Sequence, residues 1–312
     1  MNTNNQNILL SVLIPSYNHA KYIEETIQSI WKQNNNTSIE IIVIDDGSTD
    51  NSLEILTNLQ RQSPIPMYVE TQKNMGIVKT LNKALSKAQG KYIALIASDD
   101  LYFDNAFHPL LEILEENANI KIAYGNGHGF SEKGIDLNKI HNKKIAALLN
   151  QSPQNVLDSL LSSVPRPLLL QCCIIDTKSL RDIDGWDDTV KLDDWPMHIR
   201  IFQYLNTHGF QHKFIDHNVA LYRDHATQTN KNDKKMFAMI EEVIEIYSPE
   251  SIKNKFFAFE AINHAKTLLK NKHIKEGNDL LYRALKASPS TINIFKIARI
   301  FLKYNTIAFF KR

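Results

Sequence analysis

The sequence predicts an α/β fold: a mostly parallel sheet with flanking helices, followed by a C-terminal all-helical extension. Three observations carry this. Over the first hundred residues, apolar runs of strand length alternate with segments of helical period; the links between them are short; and beyond residue 231 only helical spacing is left.

The elements follow in order. Residues 8–14 are a continuous apolar run stopped by Pro15, as expected of a strand buried on both faces. Tyr22, Ile23, Ile27, Ile30 and Trp31 then recur at helical spacing within 20–33. Residues 39–44 form a second buried strand, leading into the turn Asp45-Asp46-Gly47-Ser48-Thr49-Asp50. Leu53, Ile55, Leu56 and Leu59 mark a helix, 67–70 a weaker strand, and Ile77, Leu81, Ala84 and Leu85 a further helix closed by Gly90. Residues 92–97 are a fourth strand ending at Ser98-Asp99-Asp100. Past residue 104 the pattern loosens. A helix is expected at 106–116 and a strand at 120–125, while 125–144 and 150–167 read as loops. An apolar strand at 168–176 precedes the turn Gly185-Trp186-Asp187-Asp188, and a helix at 194–205 leads to a strand at 219–223. The expected division is a sheet domain over 1–230, with halves at about 8–125 and 126–230, and a helical region over 231–312.

In that tail Ala258, Ala261, Ala265, Leu268 and Leu269 make one apolar face, and Leu280, Leu281, Ala284 and Leu285 a second, stopped by Pro289. The pair resembles one tetratricopeptide-like unit without a second copy, which marks a packing appendage rather than a recognition array. Residues 292–312 set Ile294, Phe295, Ile297, Ile300, Phe301 and Leu302 among Lys296, Arg299, Lys303, Lys311 and Arg312. Such a basic amphipathic helix either lies peripherally on the anionic face of the inner membrane or packs its stripe on the sheet domain.

Bulk properties exclude several classes. With 36 basic against 34 acidic side chains the net charge is +2, without the basic excess of a dedicated nucleic-acid binder. The two cysteines, Cys172 and Cys173, are neighbours, so neither a bridge nor a zinc site is expected. Residues 1–7 hold no basic residue, and no apolar run reaches the roughly 18 residues of a membrane span. The expectation is a cytoplasmic protein, free or peripheral on the membrane.

In an open parallel sheet, ligands bind beyond the carboxyl ends of the strands. Three of those ends here carry polar turns: Pro15-Ser16-Tyr17-Asn18, Asp45-Asp46-Gly47-Ser48 and Ser98-Asp99-Asp100. Singly, each is explained by turn chemistry; together on one rim they suit a nucleotide diphosphate. Carboxylates repel a diphosphate unless a divalent cation lies between them, and Mg²⁺ or Mn²⁺ takes carboxylate and phosphate oxygens together. Asp99 and Asp100 have the chemistry for this, Asp46 for accepting a uracil N–H, and Tyr17 for packing on the base.

These turns, with Asn74-Met75-Gly76 leading into Leu81-Asn82-Ala84 and with Gly90-Lys91-Tyr92-Ile93, resemble glycosyltransferase family 2, the inverting enzymes of the GT-A (Rossmann-like) fold, over roughly 8–110. The resemblance implies donor-nucleotide contacts from Pro15, Tyr17, Asn18, Asp46, Asn74, Gly76, Lys79, Ser98 and Asp99. It implies Asp100 as principal metal ligand, with Asp99 toward the ribose or metal. Gly185-Trp186-Asp187 followed by Leu192-Asp193-Asp194-Trp195 is similar to the family's acceptor-side motif and implies Asp194 as base. Trp186, Asp193, Trp195 and Arg223 would then lie on the acceptor side. A helix-start carboxylate equally suits capping, so both readings of Asp193 and Asp194 stand. Tyr222-Arg223-Asp224-His225, with Thr227 and Thr229, resembles the family's late Tyr-Arg-x-His segment, in which His225 completes the metal shell or touches the diphosphate. The ten other histidines show no metal-ligand spacing and read as structural.

The expected activity is metal-dependent transfer of a sugar, from UDP, onto a glycan or lipid-linked glycan in bacterial capsule, O-antigen or lipooligosaccharide synthesis. The competing readings are a sugar-phosphate nucleotidyltransferase and a non-catalytic glycan-binding module. The chain has no Gly-x-Gly-x-x-Gly after the first strand, no Gly-Lys-Ser/Thr loop and no Gly-x-Ser-x-Gly elbow.

Overall fold

Strand β1 (Leu10–Ser16) runs parallel to β2 (Ile39–Asp45), Leu10 opposite Ile39 and Ser16 opposite Asp45. All seven residues of β2 are buried, which is why the apolar run shows no alternation. With β3 (Met67–Thr71) on one side and β4 (Tyr92–Leu95) on the other, these strands form a parallel block in the order β3-β2-β1-β4. Helices α1 (Ile23–Trp31), α2 (Ser52–Gln62) and α3 (Ile77–Lys87) connect them, each turning an apolar stripe inward: Ile23, Ile27 and Ile30; Leu56 and Leu59; Leu81, Ala84 and Leu85. The computed structural model describes residues 8–33, 37–162, 168–225 and 233–309.

Beyond β4 the sheet becomes mixed. After β5 (Leu101–Tyr102) and α4 (His108–Glu116) come β6 (Ile120–Ser131), β7 (Gly134–Lys139), α5 (Lys143–Leu149) and α6 (Pro153–Ser162). A 3₁₀ turn at Leu170–Cys172 leads to β8 (Cys173–Asp176), then α7 (Thr177–Asp182), α8 (Asp194–His208) and β9 (Gln211–Arg223). The order continues β8-β6-β9-β5, with β8 antiparallel to both β4 and β6, and β9 parallel to β6.

Here the structure corrects the sequence reading. Residues 125–144 are not a loop: they complete β6 and form β7 and the start of α5. Gly125 and Gly127 are close-approach residues, not breakers. A Cβ on Gly125 would stand 2.3 Å from Val219 Cγ2, and one on Gly127 2.7 Å from the Ala220 carbonyl, both on β9. The glycines lie at alternate positions because one face of β6 must admit its neighbour closely. Likewise 150–167 contains α6, residues 163–167 lying outside those described. The strand expected at 219–223 is the end of a 13-residue strand, and that expected at 168–176 is extended only from Cys173. Both cysteines are buried and free.

The described residues divide into two compact units, one up to 225 apart from 161–164, the other those four with 226 onward. The second unit is helical: α9 (Asp233–Tyr247), α10 (Glu250–Lys270), α11 (Ile274–Ala287) and α12 (Thr291–Phe309). Ala258, Ala261, Ala265, Leu268 and Leu269 of α10 are buried with Leu280, Leu281 and Ala284 of α11 in one core. No helix among the described residues is long and apolar enough to cross a membrane.

Candidate active site

The site is assembled at the carboxyl ends of β1, β2 and β4. The Asp45–Asp50 turn fastens itself to the turn after β1. Asp45 accepts from the Ser48 N–H (3.1 Å), the Ser48 hydroxyl (2.5 Å) and the Thr71 hydroxyl (3.0 Å). Ser48 Oγ accepts the Asn18 N–H (2.9 Å), and Asn18 Oδ1 accepts the Thr49 N–H (2.7 Å). Asp50 accepts from the Ala20 N–H (3.0 Å) and the Ser52 hydroxyl (2.5 Å), whose oxygen accepts the His19 N–H (3.0 Å). Two of the three carboxylates of this turn are therefore spent on holding Asn18, His19 and Ala20 in place. Pro15 is half-buried opposite Ile44, and Tyr17 projects into solvent, 46% exposed.

Asp46 is buried and tied to the loop before α3. Its Oδ1 accepts from Gln72 Nε2 and the Met75 N–H (both 2.8 Å), and its Oδ2 from the Gly76 N–H (2.9 Å). A carboxylate oxygen accepts about two bonds, so Oδ2 retains one lone pair. Gly47 at φ +76° lets this loop close, since a Cβ there would lie 2.9 Å from the Asn74 nitrogen. Asn74 and Lys79 are exposed, Lys79 in the first turn of α3.

At the end of β4, Ser98, Asp99 and Asp100 are all buried but face different partners. The Thr26 hydroxyl on α1 binds the carbonyls of Ser98 (3.1 Å) and Asp100 (2.8 Å), fixing the turn. Asp100 Oδ1 accepts the Arg223 N–H (2.8 Å) and Oδ2 accepts from Gln171 Nε2 (3.2 Å). Burial first, and the Asp99 charge second, push the Asp100 carboxyl well above the usual range. Asp99 faces two imidazoles: Oδ2 is 2.8 Å from His225 Nε2 and 3.7 Å from His19 Nε2. His19 Nδ1 lies 2.7 Å from Ser98 Oγ, which leaves Nε2 aimed at Asp99. One ligand atom from each of His19, Asp99 and His225 lies within 4.8 Å of the others. Burial lowers the His19 pKa despite the nearby carboxylate, keeping the ring neutral as a metal ligand must be.

Arg223, which sequence put on the acceptor side, is held by Glu25 (2.6 Å) and the Asp99 carbonyl (2.6 Å), between the rings of Tyr22 and Phe130. Trp186 is buried; its N–H donates to Asn82 Oδ1 (2.8 Å) and its carbonyl accepts from Asn82 Nδ2 (2.7 Å). Asn82 thus links the donor-half motif to the Gly-Trp-Asp turn. Trp195 is buried with its indole N–H on the Leu160 carbonyl (3.0 Å). Asp193 occupies the N-cap of α8 but makes no side-chain cap hydrogen bond, and Asp194 Oδ1 accepts the adjoining Trp195 N–H (2.6 Å). Burial first, and the Asp194 charge second, push Asp193 up to about 7. The charges of Asp100, Asp99, Asp194 and Asp193 all add to burial in raising the Tyr222 hydroxyl, so both carboxylate pairs lie around this one ring.

His19 is the residue that sequence spacing gave no reason to single out. Its ligand partners lie 80 and 206 positions away, and only its place on the β1 rim, directly after Tyr17-Asn18, signals it. Thr227 and Thr229 lie outside the described residues.

A parallel block with a polar carboxyl-end rim, closed by a mixed extension bearing further carboxylates, is the GT-A architecture. TarS of Staphylococcus aureus, solved in complex with UDP-GlcNAc, superposes with a TM-score of 0.60 at 19% identity, covering 89% of this chain and 81% of that one. The mannosyltransferase PcManGT of Pyrobaculum calidifontis, solved with GDP-Man and Mn²⁺, gives 0.60 at 14% identity, covering 95% and 82%. At such identities the likeness is one of fold. The sequence profile of glycosyl transferase family 2 matches residues 11–159. Glycosyltransferase GlyG of Streptococcus pneumoniae is 35% identical over 124 residues, 40% of each chain. TuaG of Bacillus subtilis, provisionally named a teichuronic acid biosynthesis glycosyltransferase, is 36% identical over 110 residues, 35% of this chain and 43% of its own. The matched segment thus spans less than half the length of these relatives.

Proposed function

We propose that the chain transfers a sugar, with inversion, from a nucleotide-diphosphate donor, a UDP-sugar, to a hydroxyl of a glycan or lipid-linked glycan during synthesis of a bacterial surface polysaccharide. The observation that carries the reading is the meeting of His19, Asp99 and His225, from three distant segments, on the rim that also holds Asp46 and Tyr17. The polysaccharide setting is supported by the name of TuaG, and the donor class by the nucleotide sugars bound to TarS and PcManGT.

The His19–Asp99–His225 cluster fits a divalent cation. Ligands at about 2.1 Å from one ion stand roughly 3–4 Å apart, so atoms within 4.8 Å need only small side-chain adjustments. One carboxylate and two imidazoles form a mixed set that suits Mn²⁺ ahead of Mg²⁺, which favours oxygen. Asp99, His225 and His19 would hold the ion, with Asp100 supporting the turn from behind. When bound, the ion neutralises the charge of the departing diphosphate.

The remaining work falls to the chain's own groups. Tyr17 covers the base, and the spare lone pair of Asp46 Oδ2 accepts its N–H. The Asn74–Gly76 loop, clasped by Asp46, closes over the nucleotide. Asp194 accepts the proton of the acceptor hydroxyl as its oxygen bonds to the anomeric carbon and the bond to the diphosphate oxygen breaks. Absence of a side-chain cap bond from Asp193 supports catalysis over capping at this helix start.

The test is nucleotide release from a panel of donors with Mn²⁺, Mg²⁺ or chelator. Asp194→Asn should lose transfer by a factor of roughly 10²–10⁴ while donor binding, measured by calorimetry, persists. Full transfer by that variant refutes the base assignment. Pyrophosphate release from UTP and a sugar phosphate would establish the nucleotidyltransferase instead.

A further inference from the structure

The structure divides the apolar residues of the last helix between two faces. Ile297, Ile300 and Tyr304 pack on the α10–α11 core, whereas Ile292, Ile294 and Phe295 stand 66%, 47% and 72% exposed, with Leu302 at 61%. Ile292, Phe295 and Leu302 share a helix face with Arg299 at positions i, i+3, i+10 and i+7. Alongside it, Lys296, Arg299 and Lys303 form a row at the same spacing, all exposed. With Lys266 of α10 they line an open groove of about 420 Å³ floored by Phe259 and Ile262. Among the described residues no carboxylate lines that groove, and the sequence from residue 280 onward holds seven Lys and Arg and no Asp or Glu.

We infer that this face of α12 docks on an anionic lipid bilayer, phosphate headgroups lying in the groove between α10 and α12 while Ile292 and Phe295 enter the acyl boundary. Charge complementarity selects this occupant: a protein partner would need a dense acidic patch, whereas a bilayer surface supplies phosphates at any register. The interleaving of exposed aromatic and aliphatic residues with cations is what an interfacial helix requires, and the packed Ile297–Ile300–Tyr304 side fixes which face is offered. The inference is independent of the transfer reaction.

The experiment is sedimentation of the full chain with vesicles of phosphatidylcholine alone or mixed equally with phosphatidylglycerol. Wild type should pellet with the anionic vesicles and be released by high salt. The triple variant Lys296→Gln, Arg299→Gln, Lys303→Gln should bind on the order of a hundredfold more weakly. Ile292→Ser with Phe295→Ser should lose binding at moderate salt; both substitutions are at exposed positions, and circular dichroism verifies folding. Equal binding to both vesicle types, or full binding by the triple variant, overturns the proposal. So does retention of inorganic pyrophosphate in the groove without any pelleting, which would mark a soluble anion site. Self-association that Phe295→Ser abolishes, again without pelleting, would reassign the face to a second copy of the chain.

Discussion

On the rim of the first unit the Arg223 guanidinium donates to Glu25 and to the Asp99 carbonyl and lies between two aromatic rings. Arg299 on α12 is exposed and makes no ion pair among the described residues. The same side chain does opposite work in the two regions. On the rim nearly every charge is committed to a stated partner, so what the rim offers a ligand is a fixed geometry. Along α12 Lys296, Arg299 and Lys303 make no ion pair among the described residues, so what that helix offers is charge density. A site built the first way should fail sharply when one atom is changed, and one built the second way should fail gradually, with dose and salt.

The sharpest break is expected at Asp99. Asp99→Asn removes the one anionic ligand from the cluster but leaves the Ser98–Asp100 backbone held by Thr26. Mn²⁺ affinity, read by electron paramagnetic resonance without any turnover, should fall on the order of a hundredfold, with transfer falling at least as far. His19→Gln should lose about tenfold. Unchanged Mn²⁺ affinity in His19→Gln would return that residue to a purely structural role.

Next in size is the close approach of β6 to β9. Gly125→Ala drives a Cβ against Val219 and the His217 carbonyl (2.8 Å) and should cost about 2–3 kcal/mol. Gly129→Ala, four residues along the same strand, meets nothing nearer than Asp136 Cβ at 3.7 Å and should cost under ~0.5 kcal/mol. Denaturant titration of both variants checks the difference; equal costs would mean that the glycines are there for turn chemistry after all.

These glycines show where sequence reasoning stops. The block from β1 to β4 was legible because buried parallel strands announce themselves as apolar runs and their helices by period, as with Ile41–Val43 and Ile27–Ile30. In β6 the signal is carried by the neighbour: three alternate glycines mean a loop unless it is known that β9 lies against them. The rim turns were legible as a set, yet not in their division of labour. Asp45, Asp46 and Asp50 look alike in sequence, and only the backbone donors that reach them separate two turn-holding carboxylates from one that clasps the 74–76 loop. In the same way nothing in Ser98-Asp99-Asp100 says which carboxylate turns toward Gln171 and which toward the histidines. Backbone direction after β4 decides that.

A smaller effect, with a sign, is expected at Asp193. Its carboxyl is raised to about 7 by burial and then by Asp194, so the proton is retained in the folded chain at pH values where an unfolded carboxyl has lost it. Stability from this group therefore falls as pH rises from about 4 to about 7 and stays low above that. Asp193→Asn should raise Tm at pH 8 and leave it unchanged at pH 4. If the pair supplies the base, loss of the Asp193 charge should move the acid limb of the transfer rate to lower pH in the same variant. An unmoved limb would detach Asp193 from the base.

The smallest effect is the most telling about α12. Arg299→Gln should change Tm by less than about 0.5 kcal/mol equivalent, because no partner is orphaned and the aliphatic stem is exposed. Transfer to a water-soluble acceptor should be equally untouched. Arg223→Gln, by contrast, leaves Glu25 and the Asp99 carbonyl without this donor beside the His19–Asp99–His225 cluster, and should cost about 1–3 kcal/mol along with transfer. If Arg299→Gln proved as damaging as Arg223→Gln, its charge would have to be engaged in holding the fold. A cation committed in that way is no longer available to a bilayer, so the same thermal melt that measures stability also bears on whether α12 keeps its charge for a surface outside the protein.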